Sequence, residues 1–160
     1  NRKIIICKPA GKSIQASFDM PLVNTDTKLY SSLQKSLKNE AFFIVDAGNK
    51  HLCLKKRSIK NEDLDALYSK LKKIIRPHNI NLSIFKHTKE LIEIRTYENG
   101  VGETLSCGSA SASVASLYLN SKINKVTVRS SGGEIKFSKS KNGILMTGPS
   151  AHIFSGDIND

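Results

Sequence analysis

The sequence predicts a single α+β domain rich in antiparallel strands, and three observations predict it. The chain has 160 residues, 39% of them hydrophobic, which suits one domain with a sizeable core. Short β-forming runs recur along it, separated by Gly, Asn and Pro turn signals. Two segments carry helical apolar spacing, and a third near Ser109–Tyr118 is built of small residues. Nothing has the composition of an interdomain linker, and no apolar run approaches the roughly 18 residues of a membrane-spanning helix.

The elements follow in order. Arg2–Cys7 and Ser13–Phe18 read as strands around the turn at Pro9-Ala10-Gly11. Leu29, Tyr30, Leu33 and Leu37 share one helical face, so Lys28–Lys38 is a short amphipathic helix. Ala41–Ala47 is a β-forming run stopped by Gly48-Asn49, with His51–Leu54 beyond the turn. Leu64, Leu67, Tyr68, Leu71 and Ile75 line a second helix, with Asn61 as its expected N-cap and Pro77 as its stop. Asn79–Lys86 and Leu91–Tyr97 form a hairpin around His87-Thr88-Lys89-Glu90. After the small-residue helix come Lys125–Ser130, Glu134–Phe137 and Ile144–Thr147, the last two joined by the hairpin signal Asn142-Gly143. Gly148-Pro149 breaks the pattern, and Ala151–Phe154 closes the chain in this run of strands.

Charge and cysteine content exclude some classes of function. The net charge of +11 is compatible with nucleic acid, an anionic membrane surface, or a solvated lysine-rich exterior. The excess comprises 20 Lys but only 5 Arg, scattered and not interleaved with the 10 aromatics, which favours the solvated surface over nucleic acid or membrane. Cys7, Cys53 and Cys107 are an odd number at wide spacing, which excludes a disulfide framework and a four-cysteine zinc site. His51-x-Cys53 is too sparse to specify a metal, and no metal site is expected. With no signal-peptide pattern at the start, the expected location is a reducing cytoplasm.

The chemistry concentrates in Arg95–Asn120, RTYENGVGETLSCGSASASVASLYLN. Gly100, Gly102 and Gly108 make the backbone around Cys107 permissive. Small residues from Ser109 onward let neighbouring elements approach the helix closely, so this helix is expected at the centre of the fold. Its first amides, at Cys107-Gly108-Ser109, would suit a carboxylate or phosphate and would also favour the Cys107 thiolate. Glu98 and Glu103 precede it as candidate proton acceptors, and a buried small hydrophobe is the alternative reading of Cys107. The glycine pattern fits neither a Walker A loop nor a dinucleotide fingerprint.

The stretch YENGVGETLSCGSASASVA resembles the second-cysteine signature of the diaminopimelate epimerases. Gly48-Asn49-Lys50-His51, Asn81 within INLSIF, Gly132-Gly133 and Met146–Ile158 match further motifs of that family in order. The resemblance implies a strand-rich, barrel-like domain wrapped around a central helix, one half of a two-domain fold with the substrate between the halves. It implies LL- to meso-diaminopimelate interconversion without a cofactor, through two cysteines on opposite faces of the α-carbon. That chemistry serves lysine and peptidoglycan-precursor biosynthesis. Cys107 would then be one acid/base, Glu98 a carboxylate tuning a thiol, and His51 the imidazole serving the cysteines. Asn49 and Asn81 would hydrogen-bond the distal end of the substrate, Glu98 and Asn99 would also contact it, and Gly108 and Ser109 would offer amides to the reacting carboxylate.

Departures from the family pattern refine this reading. Asn99 stands where the family has Arg, which removes a bidentate carboxylate clamp and leaves open a racemase of the same fold for another amino acid. The Asn-Cys-Gly-Asn-Gly motif of the partner cysteine is absent, and neither Cys7 nor Cys53 has a comparable context. Residues 1–160 are therefore expected to be a C-terminal half, carrying half a site and inactive alone. Its expected partners are a small-molecule substrate and the missing N-terminal domain. A homodimer and a non-catalytic binding role stay open.

Overall fold

In the computed structural model, residues 5–38, 40–89 and 91–156 are described. The chain first runs through β1 (Ile6–Ala10), β2 (Ser13–Phe18) and the two-residue β3 (Leu22–Val23). The expected strand from Arg2 lies partly outside the described residues, as do Glu90 of the predicted hairpin turn and the last two residues of the Met146–Ile158 match. Helix α1 (Thr27–Leu37) starts where the Asp26 carboxylate accepts hydrogen bonds from the amides of Lys28 and Leu29, at 3.0 and 3.1 Å. Strands β4 (Phe42–Asp46) and β5 (Lys50–Lys55) follow, then α2 (Leu64–Ile75).

The cap of α2 is Asp63, not Asn61 as expected, and its carboxylate accepts from the Ala66 amide at 2.9 Å. A carboxylate there both satisfies a free amide and meets the positive end of the helix dipole. Pro77 sits in a 3-10 turn, Arg76–His78, and Asn79 then adopts a left-handed conformation that releases the chain into β6 (Ile80–Thr88). The hairpin to β7 (Leu91–Glu98) is tighter than predicted, since pairing continues to Thr88 with Leu91. A three-residue β8 (Gly102–Thr104), not foreseen, leads to α3 (Gly108–Ser116). Strands β9 (Lys125–Ser130), β10 (Gly133–Ser140) and β11 (Gly143–Pro149) complete the fold. β11 runs through the expected break at Gly148, and Ala151–Phe154 forms no strand.

All strands belong to one sheet in the order β1-β2-β11-β10-β9-β7-β6-β5-β4-β3, with β8 paired to β7. Pairing is antiparallel except for β5 with β6 and β7 with β9, whose crossovers carry α2 and α3. Among the described residues the end strands β1 and β3 do not pair, so the sheet does not close into a barrel. The expected α+β architecture, strand-rich around a helix, is otherwise what the chain adopts.

Strand alternation divides the interior into two cores. Ile44, Leu52, Leu54, Leu82 and Ile84 turn toward α1 and α2, where they meet Leu33, Leu37, Leu71 and Ile75. Val45, Cys53, Phe85 and Ile94 turn the other way, toward α3 and the inner faces of β9 and β10. Ala110 through Ala115 are all buried, and α3 packs on β4, β5, β7, β9 and β10. Small side chains permit that approach from several strands at once, which is why this helix is central.

Candidate functional site

The site is built at the start of α3. Cys107 is its N-cap residue in extended conformation, and its carbonyl accepts the first helical bond from the Ser111 amide at 3.0 Å. The Cys107 side chain does not cap the helix, so the amides of Gly108 and Ser109 have no intrahelical acceptor. The approach to Cys107 is held from outside by the amide of Gly132, which donates to the Leu105 carbonyl at 2.7 Å. A Cβ at Gly132 would lie 3.0 Å from both the Leu105 oxygen and the Ser106 Cβ, tight enough that the approach would have to shift by a few tenths of an ångström.

From Cys107 a hydrogen-bond chain runs inward. Its Sγ lies 3.4 Å from Ser109 Oγ, which lies 3.0 Å from Nε2 of His51 on β5. His51 is fully buried, and desolvation lowers its pKa to about 4 against the opposing charge of Asp46. The imidazole is therefore neutral at pH 7. Cys107 itself is partly exposed. A cleft of about 230 Å³ opens beside it, lined by Phe18, Ala47, Gly108, Ser109 and Met146 among others. A larger hollow of about 400 Å³, lined by Gln15, Lys125 and Lys136, holds neither a thiol nor an imidazole.

The remaining predicted residues fall into separate groups. His51 pairs with Asn81 in the parallel register of β5 and β6, and alternation along β7 puts Glu98 on the same sheet face as buried Thr96. Glu98 accepts a hydrogen bond from Thr104 Oγ1 at 2.8 Å. Asn81 Oδ1 accepts from the Asn99 amide at 2.9 Å, which leaves the Asn81 side-chain amide as a donor. The Asn99 side chain turns to the α2 side, where Oδ1 accepts from Tyr68 at 2.8 Å and Nδ2 donates to the Ile80 carbonyl at 3.1 Å. Asn49 is exposed in the β4–β5 turn. Glu103 is held by Arg95 through two 2.7 Å hydrogen bonds, so it does not join the thiol.

Three participants escaped the sequence reading: Ser83 and Thr96 behind His51, and Tyr68 behind Asn99. The signal for Ser83 was a hydroxyl within the apolar strand INLSIF. Among the described residues no group of His, Cys, Asp and Glu could hold a metal ion, and no helix is long and apolar enough to cross a membrane.

A thiol at a helix start, coupled through a hydroxyl to a neutral imidazole, can take and return a proton. The family profile "Diaminopimelate epimerase" matches residues 43–153, the stretch that contains Asn49, His51, Asn81, Glu98 and Cys107. The chain belongs to the diaminopimelate epimerase family. The epimerase of Wigglesworthia glossinidia brevipalpis is 35% identical over 87% of this chain and 52% of its own length. That of Buchnera aphidicola is 31% identical over 99% of this chain and 64% of its own length. The chain thus spans between about half and two thirds of these diaminopimelate epimerases. A phenazine biosynthesis protein of the PhzF family from Bacillus anthracis shares the fold, with a TM-score of 0.61 at 13% identity, covering 89% of this chain and 60% of that one.

Proposed function

We propose that the protein containing this chain is a diaminopimelate epimerase that inverts an α-carbon by proton removal and return, with Cys107 as one acid/base. The observation that supports this most is the coupling of the Cys107 thiol, through Ser109, to the buried neutral imidazole of His51. Inverting a stereocentre needs a base on one face of the carbon and an acid on the other. Cys107 serves one face. The amides of Gly108 and Ser109, aligned with the positive end of α3, bind the reacting carboxylate as charge develops on it. Asn49 and Asn81 engage the distal end of the substrate, and Glu98 tunes the thiol environment. No cofactor is needed in this scheme.

The second acid/base is proposed to come from the remainder of the family-length protein. Cys7 is exposed outside the family match, and burial pushes the thiol of Cys53 far up, so neither suits the role. The product would serve lysine and peptidoglycan-precursor synthesis. In D2O, the full-length protein should exchange the α-proton of diaminopimelate as it interconverts the LL and meso forms, and Cys107→Ser should abolish that interconversion. Near-normal interconversion by the variant would overturn the assignment. A second reading, a racemase of the same fold for another amino acid, is favoured by Asn99, whose side chain is committed to Tyr68 and Ile80. The same exchange assay over an amino-acid panel separates the two.

A further inference from the structure

His51 does not end the hydrogen-bond chain. Its Nδ1 lies 3.3 Å from the Ser83 hydroxyl, which lies 3.2 Å from the Thr96 hydroxyl. His51 and Ser83 are fully buried and Thr96 is 4% exposed. Register explains the meeting: Ser83 on β6 pairs with Thr96 on β7, and His51 on β5 pairs with Asn81, two residues before Ser83 on the same face.

Counting protons gives the chain a direction. Thr96 has one hydroxyl proton, and Ser83 is its side-chain partner. Were Ser83 the donor, the Thr96 proton would be buried without a side-chain acceptor among the described residues, at the desolvation cost of a hydroxyl. Donation therefore runs from Thr96 to Ser83 and from Ser83 to Nδ1 of His51, which must be the unprotonated nitrogen. A neutral imidazole carries one N–H. It is then on Nε2, donating to Ser109 Oγ at 3.0 Å, and the Ser109 proton is left to point at Cys107 Sγ, 3.4 Å away. Asp46 is the charged neighbour that acts on His51, and burial outweighs it, so the ring stays neutral.

We propose that Ser83, backed by Thr96, is a positioning residue that locks His51 in the Nε2–H tautomer and so aims the Ser109 hydroxyl at Cys107. A hydroxyl donating to Sγ favours the thiolate, the form that removes a proton. The proposal deepens the acid/base reading of Cys107 and takes its purpose from that reading, but the tautomer is measurable without any substrate.

The test uses the protein labelled with 15N-histidine. The ring nitrogen shifts of His51 should report Nε2–H in the parent, a mixed or reversed tautomer in Ser83→Ala, and recovery in Ser83→Thr. In a Cys7→Ser background, which removes the exposed competing thiol, iodoacetamide should alkylate Cys107 about tenfold more slowly in Ser83→Ala, the size of one hydrogen bond to a charged acceptor. Ser83→Thr should restore the rate. If Ser83→Ala fails to fold, Thr96→Val tests the same direction from the next link. An Nδ1–H parent overturns the proposal, as does a Ser83→Ala protein with unchanged tautomer and alkylation. A correct tautomer with no α-proton exchange would instead sink the epimerase reading and leave the relay standing.

Discussion

His51 is the residue through which burial and chemistry meet. Its unfolded-state pKa lies near 6.5, and burial lowers the folded value to about 4. Between those values the unfolded chain binds a proton that the native protein excludes, so stability falls as pH drops through that window. The loss is on the order of 3 kcal/mol by pH 4. Urea midpoints at pH 7.5 and 4.5 should therefore diverge more for the parent than for His51→Gln; equal divergence would place the acid sensitivity elsewhere. Half of this was legible in sequence. Cys107 stood out through the glycines and small residues around it, and His51 through the family motif. Ser83 and Thr96, 32 and 45 positions from His51, become its neighbours only through the register of β5, β6 and β7, which no local pattern encodes.

At the scale of elements, the well-read helices are those with local signals. Leu64, Leu67, Tyr68, Leu71 and Ile75 marked α2, and the run of small residues marked α3 as central. Ala151–Phe154 was misread because apolar residues alone do not make a strand: among the described residues no strand pairs with it, and Ile153 and Phe154 stay exposed. Gly132-Gly133 was legible as a turn, yet its contact with the approach to α3 was not. That contact predicts a functional defect from a residue outside the hydrogen-bond chain. In Gly132→Ala the new Cβ presses on Leu105 and Ser106, immediately before Cys107. On the proposed function, kcat of the full-length protein should fall about tenfold, since small displacements of a reacting group are costly. Gly156→Ala, whose Cβ meets nothing within 4 Å, should leave kcat unchanged. Equal rates in both variants would show that the Leu105–Ser106 approach does not position the thiol.

At the scale of the whole molecule, the two cores share the central strands and therefore depend on them together. Leu52, Cys53 and Leu54 on β5 and Leu82 through Phe85 on β6 are fully buried, because helices or strands cover both sides of the sheet there. β1 is exposed along all five residues and pairs with one neighbour, β2. The strand order could not be read from sequence, since β2 beside β11 joins Gln15 to Thr147 across 132 positions and the hydrophobic pattern of either strand fits several partners. Opening of the native state should follow coverage, with edges fraying at low free energy and the shared strands opening only with the whole domain. Hydrogen exchange should then find the β5 and β6 amides protected to the global unfolding free energy and those of β1 exchanging far sooner. Leu71→Ala, which leaves a cavity between α2 and the sheet, should destabilise by about 2–5 kcal/mol and lower protection on β5 and β6 equally. Protection lost on the α2 side alone, with the α3 side unaffected, would mean that the two cores unfold as separate units.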